Sequence, residues 1–172
     1  DVNIVTEIED RPGAKADICL SLYPLKGGSW EKIAEKNIPC GLYASKNYLK
    51  KYGMPKNYND MIKRHRICNK SSSEYYIPGW GEVLRTAHFI VLWNDSIFSH
   101  YSAIKNGVGI GICSCDYGRR NLIRVNTISN FDTSCKIYLN VRKYVLTTPQ
   151  LKSFLEFSKV FFNGQNQQRY SK

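Results

Sequence analysis

Residues 39–69, PCGLYASKNYLKKYGMPKNYNDMIKRHRICN, decide the fold. The stretch opens as a short apolar strand over residues 40–44 and turns polar at Ser45. A basic helical turn is predicted over residues 47–52, ended by the Gly53/Pro55 break, since neither residue continues a helix well. A second small helix follows over residues 59–65, and a new strand begins at Arg66. A strand that hands the chain to a fresh set of elements predicts a crossing between two lobes.

Towards the N-terminus, residues 2–8 alternate apolar and polar side chains as a half-buried strand does. Asp10, Pro12 and Gly13 mark a turn, and residues 16–22 (ADICLSL) read as a short buried strand closed by Pro24 and Gly27-Gly28. Residues 33–38 fit either strand or turn. Downstream, residues 71–81 read as a loop rich in Ser, Tyr and Gly, residues 82–85 as a short helix, and residues 89–93 as a strand. Asn94, Asp95 and Ser96 are all good N-caps, and Ile97, Phe98, Tyr101 and Ile104 follow at helical spacing. Asn106-Gly107 is a left-handed stop. Residues 108–114 (VGIGICS) predict a buried strand whose glycines admit another backbone. Residues 135–142 form a further strand. Thr147-Thr148-Pro149 opens a final amphipathic helix with Leu151, Phe154 and Leu155 on its apolar side, and residues 163–172 are a polar tail. Strands separated by helical stretches imply an α/β fold with a mainly parallel sheet.

Composition narrows the function. The 172 residues suffice for a real core, and the 42% hydrophobic content is that of a folded protein. No apolar run approaches the ~20 residues of a membrane span. The six cysteines fall mostly on strands, which predicts small buried thiols in a reducing cytoplasm rather than a disulfide framework. Net charge is +11. Residues 46–70 alone hold eight Lys and Arg against Asp60, a balance that favours anionic partners. No DNA- or RNA-reading signature lies among these residues. His65, His88 and His100 have no zinc spacing, no nucleophile elbow or phosphate loop appears, and Gly107-Val108-Gly109-Ile110-Gly111 follows a helix, the wrong context for a dinucleotide loop. No cofactor and no catalytic set is expected. Cys113 and Cys115 are expected on one face of the strand.

Ala44, Ser45, Tyr48, Leu49, Gly53, Pro55, Asp60, His65 and Arg66 together resemble the "Ala-Ser…Tyr-Leu…Gly-x-Pro…Asp-Leu…His-Arg" segment of the effector-binding domain of LysR-type transcriptional regulators. Further matches follow in order: Ala16-Asp17-Ile18, Asn94-Asp95-Ser96, Gly107-Val108-Gly109-Ile110, Thr148-Pro149 and Phe154-Leu155. Lys46 replaces a usual proline, Met61 a usual leucine, and Cys115-Asp116 another usual proline. The resemblance implies a two-lobed, periplasmic-binding-protein-like (type 2) fold, its first lobe lacking the N-terminal strand and helix. Residues 1–44 would begin lobe I, residues 45–134 would form lobe II, and residues 135–162 would return to lobe I.

Ligands of open parallel sheets bind beyond the strands' carboxyl ends. That rule and the resemblance together name Ser21, Tyr23, Ser45, Asn94, Asp95 and Ser96 as effector contacts in an inter-lobe cleft. The implied partners are a small effector, with an anion suited to hydroxyls and helix-end amides, DNA through a domain outside this chain, and a second copy in the full-length regulator. A transporter's solute-binding protein and an enzyme of the same fold, with Asp95 as its one obvious carboxylate, are the alternatives.

Overall fold

The computed structural model describes residues 4–6, 16–22, 24–25, 27–71, 73–128, 131, 133–147 and 149–162. Tyr23, the turn at residues 10–13, Thr148 and the tail over residues 163–172 lie outside them. The chain divides into two compact units, Asp1–Asn37 with Lys136–Lys172, and Ile38–Cys135. The division falls inside a strand rather than at residue 44, because Cys40, Gly41, Leu42 and Tyr43 pair with a strand of the second unit.

In the first unit β1 (Ile4–Thr6) runs parallel to β2 (Ile18–Ser21), and β2 pairs antiparallel with β8 (Thr133–Arg142), Ile18 facing Val141. β8 adjoins β3 (Trp30–Ala44), whose 15 residues absorb the ambiguous stretch 33–38. That stretch has little strand propensity of its own; pairing extends it. Its Glu35 receives Lys32 at 2.7 Å and Lys136 of β8 at 3.0 Å, exposed contacts that hold its carboxyl below the usual range. A 3-10 turn (Lys143–Thr147) leads to α7 (Pro149–Phe162), with proline in the first helical position, where its missing N–H has no partner to lose. Ile18, Leu139, Val141, Val145 and Phe162 form the core beneath. The hydroxyl of Tyr144 donates to Asp17, which ties the turn to the start of β2.

The second unit contains β4 (Arg66–Lys70) and β5 (Phe89–Asn94), which are parallel. The end of β3 pairs antiparallel with β6 (Gly111–Ser114) and β7 (Ile123–Arg124). Parallel pairing holds for β1–β2, β4–β5 and the bridge between Ile67 and Ile110, while β2–β8, β3–β6 and β3–β7 are antiparallel, so the sheet is mixed rather than mainly parallel. Helices α1 (Lys46–Tyr52), α2 (Tyr58–Arg64) and α5 (Ile97–Lys105) stand close to their expected places, capped by Ser45, Asn57 and Ser96. α3 (Ser73–Tyr76) replaces part of an expected loop, and α4 (Trp80–Thr86) begins earlier than expected. α6 (Cys115–Asn121) is new. It hides in the sequence because Gly118 sits mid-helix, where glycine is disfavoured. A Cβ there would stand 2.4 Å from the buried ring of Tyr43, so contact with that ring demands glycine. Cys115 consequently opens a helix and does not share a strand face with Cys113.

The Tyr48/Asp60/His65/Arg66 pattern is a structural pin. The hydroxyl of Tyr48 accepts from the Arg66 N–H at 2.9 Å and lies within hydrogen-bond distance of His65 Nδ1, at 3.3 Å. His65 Nε2 then faces Asp60 at 3.9 Å. α1 and α2 are thereby fastened to the start of β4.

His65 and His100 are both buried, and desolvation is the largest cause holding each below the ordinary histidine value of 6.5. His100 Nε2 lies 2.9 Å from the Ile112 carbonyl and must carry the proton. The fold thus takes up these protons less readily than the unfolded chain. Stability is full above the unfolded value and falls as pH drops through it towards the folded ones. Melting profiles should decline below pH 6.5, and His65→Gln with His100→Gln should flatten that slope. An unchanged slope in the double variant would assign the decline to other groups.

Candidate functional site

β4 and β5 end side by side and deliver two short polar segments to one edge of the second unit. Asn69 and Lys70 close β4, while Asn94, Asp95 and Ser96 lead from β5 into α5. The Ser71 N–H donates to the Asn94 carbonyl at 2.7 Å, and Asn94 Nδ2 donates to the Asn69 carbonyl at 3.2 Å, which locks the two ends together. Asn69 Oδ1 accepts from the indole N–H of buried Trp80 at 2.8 Å. Asn69 Nδ2 and Asn94 Oδ1 are buried without a hydrogen-bond partner among the described residues. A buried donor and a buried acceptor are left open at one strand edge, each of which costs about 1–3 kcal/mol if unmet.

Lys70 gives this edge its charge. The residue is only 3% exposed, its Nζ donates to the Ser71 carbonyl at 3.3 Å, and it lies 5.7 Å from the ring centre of Tyr76. No carboxylate among the described residues reaches it as an ion pair. Desolvation lowers its pKa, while Asp95 and Glu74 act through space to raise it. A buried ammonium without an ion-pair partner favours any anion that comes within reach.

The residues anticipated from the sequence separate into groups. Asn94, Asp95 and Ser96 stay together, and Ser96 Oγ caps α5 by accepting from Ser99 N at 3.3 Å. Ser45 is buried and caps α1, accepting from Tyr48 N at 3.1 Å. A Cβ on Gly107, just beyond the far end of α5, would stand 3.2 Å from Ser45 Oγ. The length of α5, about 13 Å at 1.5 Å per residue, therefore separates Ser45 from Ser96. Ser21, in the first unit, is buried and accepts from Asn140 Nδ2 at 2.9 Å. Among the described residues no cluster of His, Cys, Asp or Glu forms a metal site, and no helix is long and apolar enough to cross a membrane.

No family model matches the chain, and no curated protein matches it in sequence. Solved structures do. The regulatory domain of CrgA, a LysR-type transcriptional regulator from Neisseria meningitidis, superposes with a TM-score of 0.68 at 17% identity, over 86% of this chain and 76% of that one. The chain has the LysR effector-domain fold. The effector-binding domain of QuiR, in complex with shikimate, gives a TM-score of 0.63 at 16% identity over 87% and 73%. The regulatory domain of CcmR from Synechocystis, in complex with 2-PG, gives 0.61 at 12% over 86% and 74%. Against CrgA described as a whole regulator the chain spans 51% of the length. LysR effector domains have the type 2 periplasmic-binding-protein-like fold, the architecture the resemblance implied.

Within this LysR effector-domain fold, Asn69 and Lys70 join the site without having been anticipated from the sequence. A signal for them exists, because Asn69-Lys70 ends a parallel strand just as Asn94 does, and the same rule applies to both. Only the Asn94 end is also marked by a helix cap, at Ser96, so its neighbour stands out less.

Proposed function

We propose that this chain is the effector-sensing domain of a LysR-type DNA-binding regulator, working without catalysis, and that its effector is a small anion. The buried Lys70, without an ion pair among the described residues, and the open amide atoms of Asn69 and Asn94 at the ends of β4 and β5 carry this reading. An ammonium and an amide N–H donate to an anionic group, while Asn94 Oδ1 accepts from a hydroxyl on the same ligand. Asp95 and Ser96 complete the contacts at this edge. DNA contact belongs to a segment outside these 172 residues, and the whole regulator works in the cytoplasm as a homo-oligomer. Effector binding shifts the populations of two arrangements of the domain, by as much as its affinity differs between them.

The test is a thermal-shift panel of small carboxylates with inorganic phosphate and sulfate, run on the wild type and on Lys70→Met. A ligand that binds only the folded chain raises the melting temperature. Losing a hydrogen bond to a charged group removes about 1.5–3 kcal/mol, roughly 10- to 150-fold in affinity. Lys70→Met should fold, because an apolar isostere of a buried charge is often neutral or stabilising. If the panel stabilises the variant as well as the wild type, Lys70 does not hold the anion.

A further inference from the structure

We propose that Cys40 and Cys135 are a reversible redox pair, whose oxidation joins β3 to β8 where these strands carry the chain between its two units. The chain passes between the units twice, at residues 37/38 and 135/136. One cysteine lies near each passage, and their sulfurs stand 3.6 Å apart. The strands are neighbours, which brings the two side chains together without any rearrangement of the backbone order. Bond formation needs the sulfurs to close by about 1.5 Å, to ~2.05 Å.

The two thiols are not equivalent. The Cys40 S–H lies within reach of both the Ile38 carbonyl, at 3.3 Å, and Cys135 Sγ. Its hydrogen bond holds the Cys135 thiol below the usual value, while Cys40 is pushed up by that bond and by burial. Cys135 is 9% exposed against 4% for Cys40, so it is also the one more open to solvent. Burial pushes the thiol of Cys68 up to about 12 and raises Cys113, which makes both poor nucleophiles.

With a hydroperoxide as oxidant, the Cys135 thiolate attacks the peroxide oxygen. The O–O bond breaks, the alcohol or water leaves with one proton, and Cys135 becomes a sulfenic acid. The Cys40 sulfur then attacks the Cys135 sulfur and expels water that takes up the Cys40 proton. Two thiols are oxidised by two electrons and one peroxide is reduced. The new bond closes a loop across 95 positions of sequence, enclosing nearly all of the second unit. A loop of that length removes much freedom from the unfolded chain. The bond stands or falls independently of the anion assigned to Lys70.

The experiment treats the reduced full chain with hydrogen peroxide, blocks remaining thiols with an alkylating agent and maps the peptides. A Cys40–Cys135 linked peptide, lighter by two hydrogens, is expected, with a melting temperature several degrees higher that dithiothreitol returns to its starting value. Cys40→Ser and Cys135→Ser should each abolish the rise. The assignment is overturned if both residues remain alkylated in the oxidised wild type, or if Cys40 is found linked to Cys115 instead. Because the mapping is done on the wild type, it decides the assignment even where a serine variant fails to fold.

Discussion

Trp80→Ala is expected to lower the melting temperature by about 6–20 °C, since truncating a buried tryptophan costs roughly 3–5 kcal/mol and each kcal/mol is worth ~2–4 °C in a chain of this size. Trp80 is among the largest fully buried side chains, at 1% exposure. Its ring meets Phe131 edge-on at 6.0 Å, and its N–H is bonded to Asn69 Oδ1 at 2.8 Å. The truncation opens a cavity and also strands a buried amide oxygen. Trp80→Phe separates the two effects, because it keeps most of the ring and loses the hydrogen bond, at about 1–3 kcal/mol. That variant should bind small anions more weakly than its modest stability loss explains, since the Asn69 amide then loses the partner that orients it. Denaturant melts together with the anion panel would check both parts. A Trp80→Phe chain with unaltered anion response would detach Trp80 from the site.

Gly109→Ala is expected to destabilise by about 2–6 kcal/mol, with the damage centred on the approach to β6. A Cβ at Gly109 would stand 2.6 Å from the Arg66 carbonyl oxygen and 3.0 Å from Cys68 Sγ. The first neighbour is backbone and has no rotamer with which to retreat. The Ile110 N–H donates to that carbonyl at 2.8 Å, and the Cys68 N–H donates to the Ile110 carbonyl at 2.8 Å, so separating the two segments breaks both bonds. Overpacking alone costs about 1–3 kcal/mol, and each hydrogen bond weakened adds roughly 0.5–1.5. Gly53→Ala is the control, because its added Cβ meets nothing within 4 Å. Gly53 has a φ of 81°, so its penalty is conformational and does not come from crowding. Hydrogen exchange at Cys68 and Ile110 should speed up in Gly109→Ala and not in Gly53→Ala. Equal acceleration in the two would mean that the carbonyl contact does not govern this position.

Much of the second unit was legible because its signals are local. Ser45, Asn57 and Ser96 each satisfy N–H groups within three residues of themselves, and Gly53 and Gly107 take positive φ where a helix has to end. The close approach at Gly109 was readable as well, since a glycine in an apolar strand has few other uses. Residues 33–38 were not, because their strand character comes from pairing with β8, far along the chain. α6 was illegible for a related reason: the ring that makes Gly118 acceptable belongs to Tyr43, in a strand that lies well before it in sequence.

The candidate site divides the same way. Capping preference pointed to Asn94, Asp95 and Ser96, which the structure keeps together. It could not show that Ser45 lies beyond the opposite end of α5, nor that Ser21 is engaged by Asn140. Lys70 read as one more cation in a basic stretch, since charge in a sequence carries no information on burial. The sequence by itself determined the order of the elements, their caps and stops, and the resemblance that predicted this fold, all encoded within a few neighbouring residues. Only the tertiary structure decided which cation lost its water, which amide atoms were left open at the ends of β4 and β5, and which two of six thiols came within 3.6 Å. Those properties depend on what surrounds each side chain, and for each of them the neighbours come from distant parts of the chain.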